Sequence, residues 1–251
     1  MVFNRVGFKN IEFVIDEPFV GAAPDPAPAV LSVPRWYKDA RPTIGDPAWG
    51  VDLDEEGTVT GSSPRSTFKN CVPFLDAMSL GYVLPLWNDF VYEYKNGRMY
   101  FSWPGAMQLV SSHPGWQTEG IPAAEGALDN AAYKFVSPWT IKTPKGYSCL
   151  STMPFSHFED RFQIASAVVD TDIYHNRISF PFFWLAEGVT GTIKLGHPLV
   201  QVIPFKRDAF RMTAREKNDD ERREENRVQR LISSVSQYAY RLNFHKRKSY
   251  R

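Results

Sequence analysis

Between Phe68 and Phe205 the chain sets short runs of β-branched and aromatic residues between turn formers, at a spacing of roughly 8 to 12 residues. The runs include FVYEY, MYFSW, FVSPWTI, TPKGYSCLSTM, FQIASAVVD, RISFPFFWL, GTIKL and PLVQVIPF. Runs this short suit strands, and no long amphipathic helix separates them, so a parallel α/β sheet is excluded. The spacing predicts a mainly β protein, an antiparallel sandwich or distorted barrel. Lys95-Asn96-Gly97-Arg98 lies between two such runs. Asn and Gly both tolerate positive φ, so this is a hairpin turn. The segment 135–205 is expected to form one antiparallel unit that buries Trp139, Tyr147, Val169, Phe182, Leu199 and Val202.

Upstream, Phe8, Ile11, Phe13 and Ile15 alternate loosely and predict an early strand. Residues 21–34 are proline-rich and read as an extended connector, because proline removes backbone donors and fixes φ. Trp36 and Tyr37 carry large apolar area that needs a place to pack. Residues 41–66 and 111–132 read as long loops. Residues 1–205 are thus expected to make a β-rich body, and 206–251 a basic tail.

The charge is divided in the same place. From Lys206 to Arg251 there are 14 basic and 7 acidic residues, whereas the first 205 residues hold 15 basic and 21 acidic. Thr213–Glu216 matches a capping box and predicts a helix start. Residues 215–227 have no apolar side chain. Val228, Leu231, Val235, Tyr238 and Leu242 then recur at helical spacing as one stripe. That stripe docks on the protein's own body or on a neighbouring subunit, and the basic tail also offers a contact to nucleic acid.

Composition narrows the class. Charged residues make up 23% and apolar residues 43% of the 251 positions, which is ordinary for a packed chain. No apolar run approaches about 18 to 20 residues, so no transmembrane helix and no membrane partner are expected. No secretory signal is visible at the N-terminus. Cys71 and Cys149 stand far apart without a CxxC, which suits a reducing cytoplasm. There is no GxxxxGK[ST], no GxGxxG after a strand and no HExxH. Gly146–Leu150 lacks the second glycine of a nucleophile elbow. Cys149 has no local activator and reads as a buried apolar residue.

Two sets of residues carry candidate chemistry. His157 and Glu159 form an HxE pair, His197 follows, and Arg207 lies ten positions beyond it. Two histidines and a carboxylate on a β scaffold match the facial triad of Fe(II) oxygenases, with Arg207 placed to hold the carboxylate of 2-oxoglutarate. Asp170 and Asp172, at i and i+2 of a strand, share a face about 7 Å apart. They bind a cation or supply a base, or else they accept backbone amides at a strand-end turn.

Thr143–Tyr147, then Ala167–Tyr174, then Gly196–Gln201 resemble in order the core of the dUTPase-like (β-clip) fold: a Gly-Tyr turn, a segment ending in paired aspartates and tyrosine, and a Gly-to-Gln strand. The resemblance implies that fold and puts Asp170 where the family carries its water-activating carboxylate. The family's Arg-Ser-Ser/Gly phosphate motif is replaced here by STMPFSHFEDRF, and its glycine-rich C-terminal arm by the charged helix. What carries over is therefore the fold and not the hydrolysis. Across most of the chain, PRWYK (34–38), FKNCVPFLDAMSLGY (68–82), SPWTIKTPKGYS (137–148), VVDTD (168–172) and GHPLVQVIPFKR (196–207) resemble an uncharacterised family of marine tailed phages and some bacteria. That resemblance implies a phage-type protein in the host cytoplasm or the virion.

Every enzymatic reading lacks part of its required set. The expectation is therefore a structural or accessory protein without catalysis or cofactor, assembling with itself or with other subunits. The alternatives are an Fe(II)/2-oxoglutarate oxygenase and a nucleotide-binding or nucleotide-hydrolysing relative of dUTPases.

Overall fold

The computed structural model describes residues 9–44, 65–113, 115–117, 119–120, 132–185, 190–234 and 239–251. In chain order the strands begin with β1 (Glu12–Ile15), β2 (Ala27–Pro28), β3 (Thr43–Ile44), β4 (Arg65–Ser66), β5 (Tyr82–Pro85), β6 (Phe90–Lys95), β7 (Arg98–Ser102) and β8 (Val110–Ser112). They continue with β9 (Tyr133–Lys142), β10 (Tyr147–Thr152), β11 (Phe162–Ile164), β12 (Ala167–Val169), β13 (Arg177–Trp184), β14 (Gly191–Ile193) and β15 (Pro198–Lys206). The helices are α1 (Arg35–Asp39), α2 (Val72–Met78), α3 (Asp219–Ser234) and α4 (Ala239–Asn243). The chain divides into two compact units: Met1–Ser32 with Leu80–Asp208 and Tyr250–Arg251, and Val33–Ser79 with Ala209–Ser249.

The first unit is antiparallel throughout its described strands. One five-stranded sheet runs β1-β9-β13-β11, with β8 also on β9. A second runs β12-β10-β15-β5-β2, and a third, three-stranded, runs β14-β6-β7. No closed barrel forms among the described residues. The β6–β7 turn is the expected hairpin, with φ of 52° at Asn96 and 75° at Gly97.

All three sheets contribute to one core. β13 alternates, burying Ile178, Phe180, Phe182 and Trp184, the period-2 signature of a strand with one face inward. β15 lies between β10 and β5 and buries Leu199 to Ile203 without a break, as a central strand does when both of its faces are covered. Its buried Gln201 is satisfied: the side chain donates to Leu80 O at 2.6 Å and accepts from Phe155 N at 2.9 Å.

The described part of 135–205 departs from the expectation in three ways. It is divided among the three sheets. FQIASAVVD is two strands, because the chain leaves β13 after Ile164 and joins β10 at Ala167. Trp139, Phe182, Leu199 and Val202 are buried, but Tyr147 and Val169 are only half-buried. Tyr147 keeps its hydroxyl at the surface, accepting from Lys9 Nζ at 2.5 Å, and Val169 ends its strand beside a turn. The proline-rich stretch also holds more structure than a bare connector, since β2 pairs with β5 and a 3-10 turn follows at Ala29–Ser32. Phe8 lies outside the described residues; Ile11, Phe13 and Ile15 pack against the core.

In the second unit, Tyr37 is buried and packs with Phe74, which also meets Trp36 and Phe68. Lys69 donates to the carbonyls of Tyr37 and Lys38, closing the last turn of α1. The C-terminal helix begins at Asp219, not at Thr213. Asn218 is the cap: its Oδ1 accepts from Glu221 N and Glu221 Oε2 accepts from Asn218 N, each at 2.9 Å. This is the reciprocal capping box, five residues later than Thr213–Glu216 because Asn serves as well as Thr and also has a carboxylate three positions on. No helix among the described residues is long and apolar enough to cross a membrane.

Candidate functional site

The candidate residues gather into two clusters in the first unit. The first forms where β15 ends. Tyr147 pairs with Lys206, and Arg207 N donates to Gly146 O at 2.9 Å, so the β10–β15 ladder runs one residue past the strand. Gly146 has φ of 85°, which lets the chain turn into β10 at that point. β12 pairs with the opposite edge of β10 and brings the turn Asp170–Tyr174 alongside. Ile173 N and Tyr174 N both donate to Asp170 O, so the two aspartates sit in a strand-end turn and not within a strand. Thr171, fully buried between them, contacts Thr143 Oγ1 at 2.7 Å and donates to Cys149 Sγ at 3.4 Å.

Both carboxylates turn to Arg207. Its Nη1 donates to Asp172 Oδ1 at 2.8 Å and its Nη2 to Asp172 Oδ2 at 2.6 Å, a bidentate fork. Nη1 also reaches Asp170 Oδ1 at 3.1 Å, the same oxygen that accepts from Ser148 Oγ at 2.6 Å. Asp172 Oδ2 further accepts from Gly146 N at 2.8 Å. The Asp172 side chain is 2% exposed, whereas that of Asp170 is 51% exposed. The bonds from Arg207 and Gly146 hold the Asp172 carboxyl at about 2, well below the usual carboxylate range. Asp170 also borders a surface cavity of about 580 Å³ lined by Val168, Val169, Ile173, Tyr174, Ile178 and Ser179.

The second cluster brings together His157, Glu159 and His197. The loop after β10 carries non-glycine residues at positive φ on either side of His157, Ser156 at 62° and Phe158 at 51°. Glu159, 6% exposed, accepts from Arg161 Nε and Nη2, each at 2.6 Å, and lies 3.1 Å from His197 Nε2. Burial alone pushes its carboxyl upward, but the bonds from Arg161 and His197 outweigh that and set it at about 2. Burial lowers the pKa of His157; the Ser32 carbonyl opposes this and the His197 ring adds to it. Arg207 belongs to the other cluster, where its donors face Asp170 and Asp172. Among the described residues no group of three or more His, Cys, Asp or Glu side chains is arranged to hold a metal ion.

Sequence reasoning missed Arg161, Ser148 and Gly146. Arg161 is legible in hindsight as a cation two residues after Glu159; Ser148 reaches Asp170 only through strand register. Cys149 is 2% exposed, and burial pushes its thiol up to about 11, against a softer lowering by Thr171. Of the helical stripe, Val228 and Leu231 are half-buried and Leu242 is 77% exposed, while Val235 and Tyr238 lie outside the described residues.

No family model and no curated protein matches the chain. Among solved structures it is similar to the dUTPase of phage phi11 of S. aureus, with 12% identity, a TM-score of 0.30, and coverage of 55% of this chain and 83% of that one. The Staphylococcus bacteriophage 80alpha dUTPase with dUpNHpp is similar at 10% identity and a TM-score of 0.32, over 55% of this chain and 87% of that one.

Proposed function

We propose that the protein is a non-catalytic structural or accessory subunit that associates with further copies of itself through its C-terminal segment. One observation carries this reading. In a stretch otherwise dominated by charge, Phe210 is 92% exposed, Met212 90% and Leu242 77%. Large apolar side chains this exposed are groups that association covers. The two polar clusters support the same reading from the other side. Arg207 is engaged by Asp172, and Glu159 by Arg161 and His197, so the groups that an Fe(II)/2-oxoglutarate oxygenase needs have partners already. Light scattering on the full-length chain and on Phe210→Ser/Met212→Ser/Leu242→Ser tests the proposal. The expected outcome is an oligomer that the triple variant converts to monomer without loss of its β circular dichroism. A monomeric parent chain, or an unchanged oligomer in the variant, refutes it.

A second reading rests on the cavity beside Asp170. Its apolar lining, the Tyr174 ring and one exposed carboxylate suit a small planar ligand such as a nucleoside. A thermal-shift screen with nucleosides and nucleotides tests it, with Ile173→Asp as the variant expected to abolish any shift.

A further inference from the structure

Residues 226–251 contain seven Lys and Arg and no Asp or Glu. Five of the acidic residues that precede them are neutralised locally. Asp219 pairs with Arg222, Asp220 with Arg223, Glu221 with Arg215, Glu224 with Arg227 and Glu225 with Lys217. The first half of α3 therefore presents alternating, self-compensated charge, and little of its negative field reaches the end of the chain. Beyond α4, Asp76 is the carboxylate that reaches the basic segment, and it is occupied by His245 at 3.2 Å and Lys248 at 2.5 Å. That contact fixes the segment on both sides of Lys246 and Arg247. Both of these are exposed, and among the described residues no carboxylate pairs with either. Arg241 is exposed on α4 in the same unit.

A short cationic run held in place, with its internal counter-charge already spent, is a surface for a polyanion of regular charge spacing. We propose that Arg241, Lys246 and Arg247 contact the phosphate backbone of nucleic acid, without reading its sequence. This goes beyond the assembly role, which uses the apolar side chains of the same arm. An acidic protein surface is the competing partner, but exposed Lys and Arg beside one another match the repeated, closely spaced charge of a phosphate backbone.

The test is fluorescence anisotropy of labelled duplexes of about 20 base pairs and unrelated sequence, titrated with the full-length protein. Two to three phosphate contacts predict that affinity falls about 10- to 40-fold between roughly 50 and 200 mM salt. Lys246→Glu/Arg247→Glu is expected to lose about 10-fold or more at low salt. Lys95→Glu/Arg98→Glu changes the net charge equally on the β6–β7 hairpin and is expected to keep the affinity within about two-fold. The proposal is overturned by absence of binding at low salt, by equal losses in the two variants, or by binding confined to one duplex sequence. It is also overturned if Lys246→Glu/Arg247→Glu disrupts self-association and leaves duplex binding unchanged.

Discussion

At the scale of single residues, Arg207 is the side chain on which most of the first cluster depends. Removing it leaves Asp172, 2% exposed, with the Gly146 N donor but without the guanidinium that balances its charge. Arg207→Ala is expected to melt well below the parent chain, and Asp172→Asn added to it is expected to recover part of the loss. Asp170→Asn, at a half-exposed side chain, is expected to change the melting temperature little. A thermal melt of the four proteins checks all three statements. Glu159 gives a pH dependence of known sign. Its carboxyl is lowered from 4.5 to about 2, so the stability it contributes is complete above 4.5 and is lost as the pH falls toward 2. Urea midpoints measured across that window should fall for the parent chain and fall less for Glu159→Gln. His157 is shifted down from 6.5, so its contribution begins to fade once the pH drops below that value. The sequence marked Asp170, Asp172, His157, Glu159, His197 and Arg207 by residue type alone. Their grouping was not legible there. Arg207 stands ten residues from His197 in the chain but bonds to the aspartates, because strand pairing, which spacing does not encode, decides which side chains meet.

At the scale of elements, strand existence followed from pattern and strand partnership did not. RISFPFFWL and PLVQVIPF read as short strands by their spacing, and they form β13, with one face inward, and β15, buried along most of its length. FQIASAVVD looked continuous because its apolar texture does not change where the chain passes between sheets. The helix start was misplaced because two capping signatures lie five residues apart, and local sequence does not choose between them. Val202 in β15 has no exposed surface, so Val202→Asp buries a charge without a partner and should destabilise by more than about 3 kcal/mol, read from urea unfolding. Gly81 precedes β5 with φ of 71°, and a Cβ there would stand 2.1 Å from Val202 O. Gly81→Ala is expected to cost about 2 kcal/mol or more, since both the backbone conformation and the strand contact must yield.

At the scale of the whole molecule, charge and apolar exposure both point to the C-terminal segment. The first 205 residues carry a net negative charge and the rest a net positive one, and the C-terminal segment adds Phe210, Met212 and Leu242 in contact with water. Opposite charge on two parts of one chain favours encounters between copies, and apolar burial then supplies the affinity. Such an association weakens with salt in its rate more than in its equilibrium. Sedimentation velocity of the unaltered chain over a dilution series measures the outcome directly. Association through the arm requires a species of at least twice the 28.7 kDa chain mass at the higher concentrations, dissociating on dilution or persisting throughout. A single species at 28.7 kDa over the whole series means that the exposed side chains of the arm have no second copy to cover them.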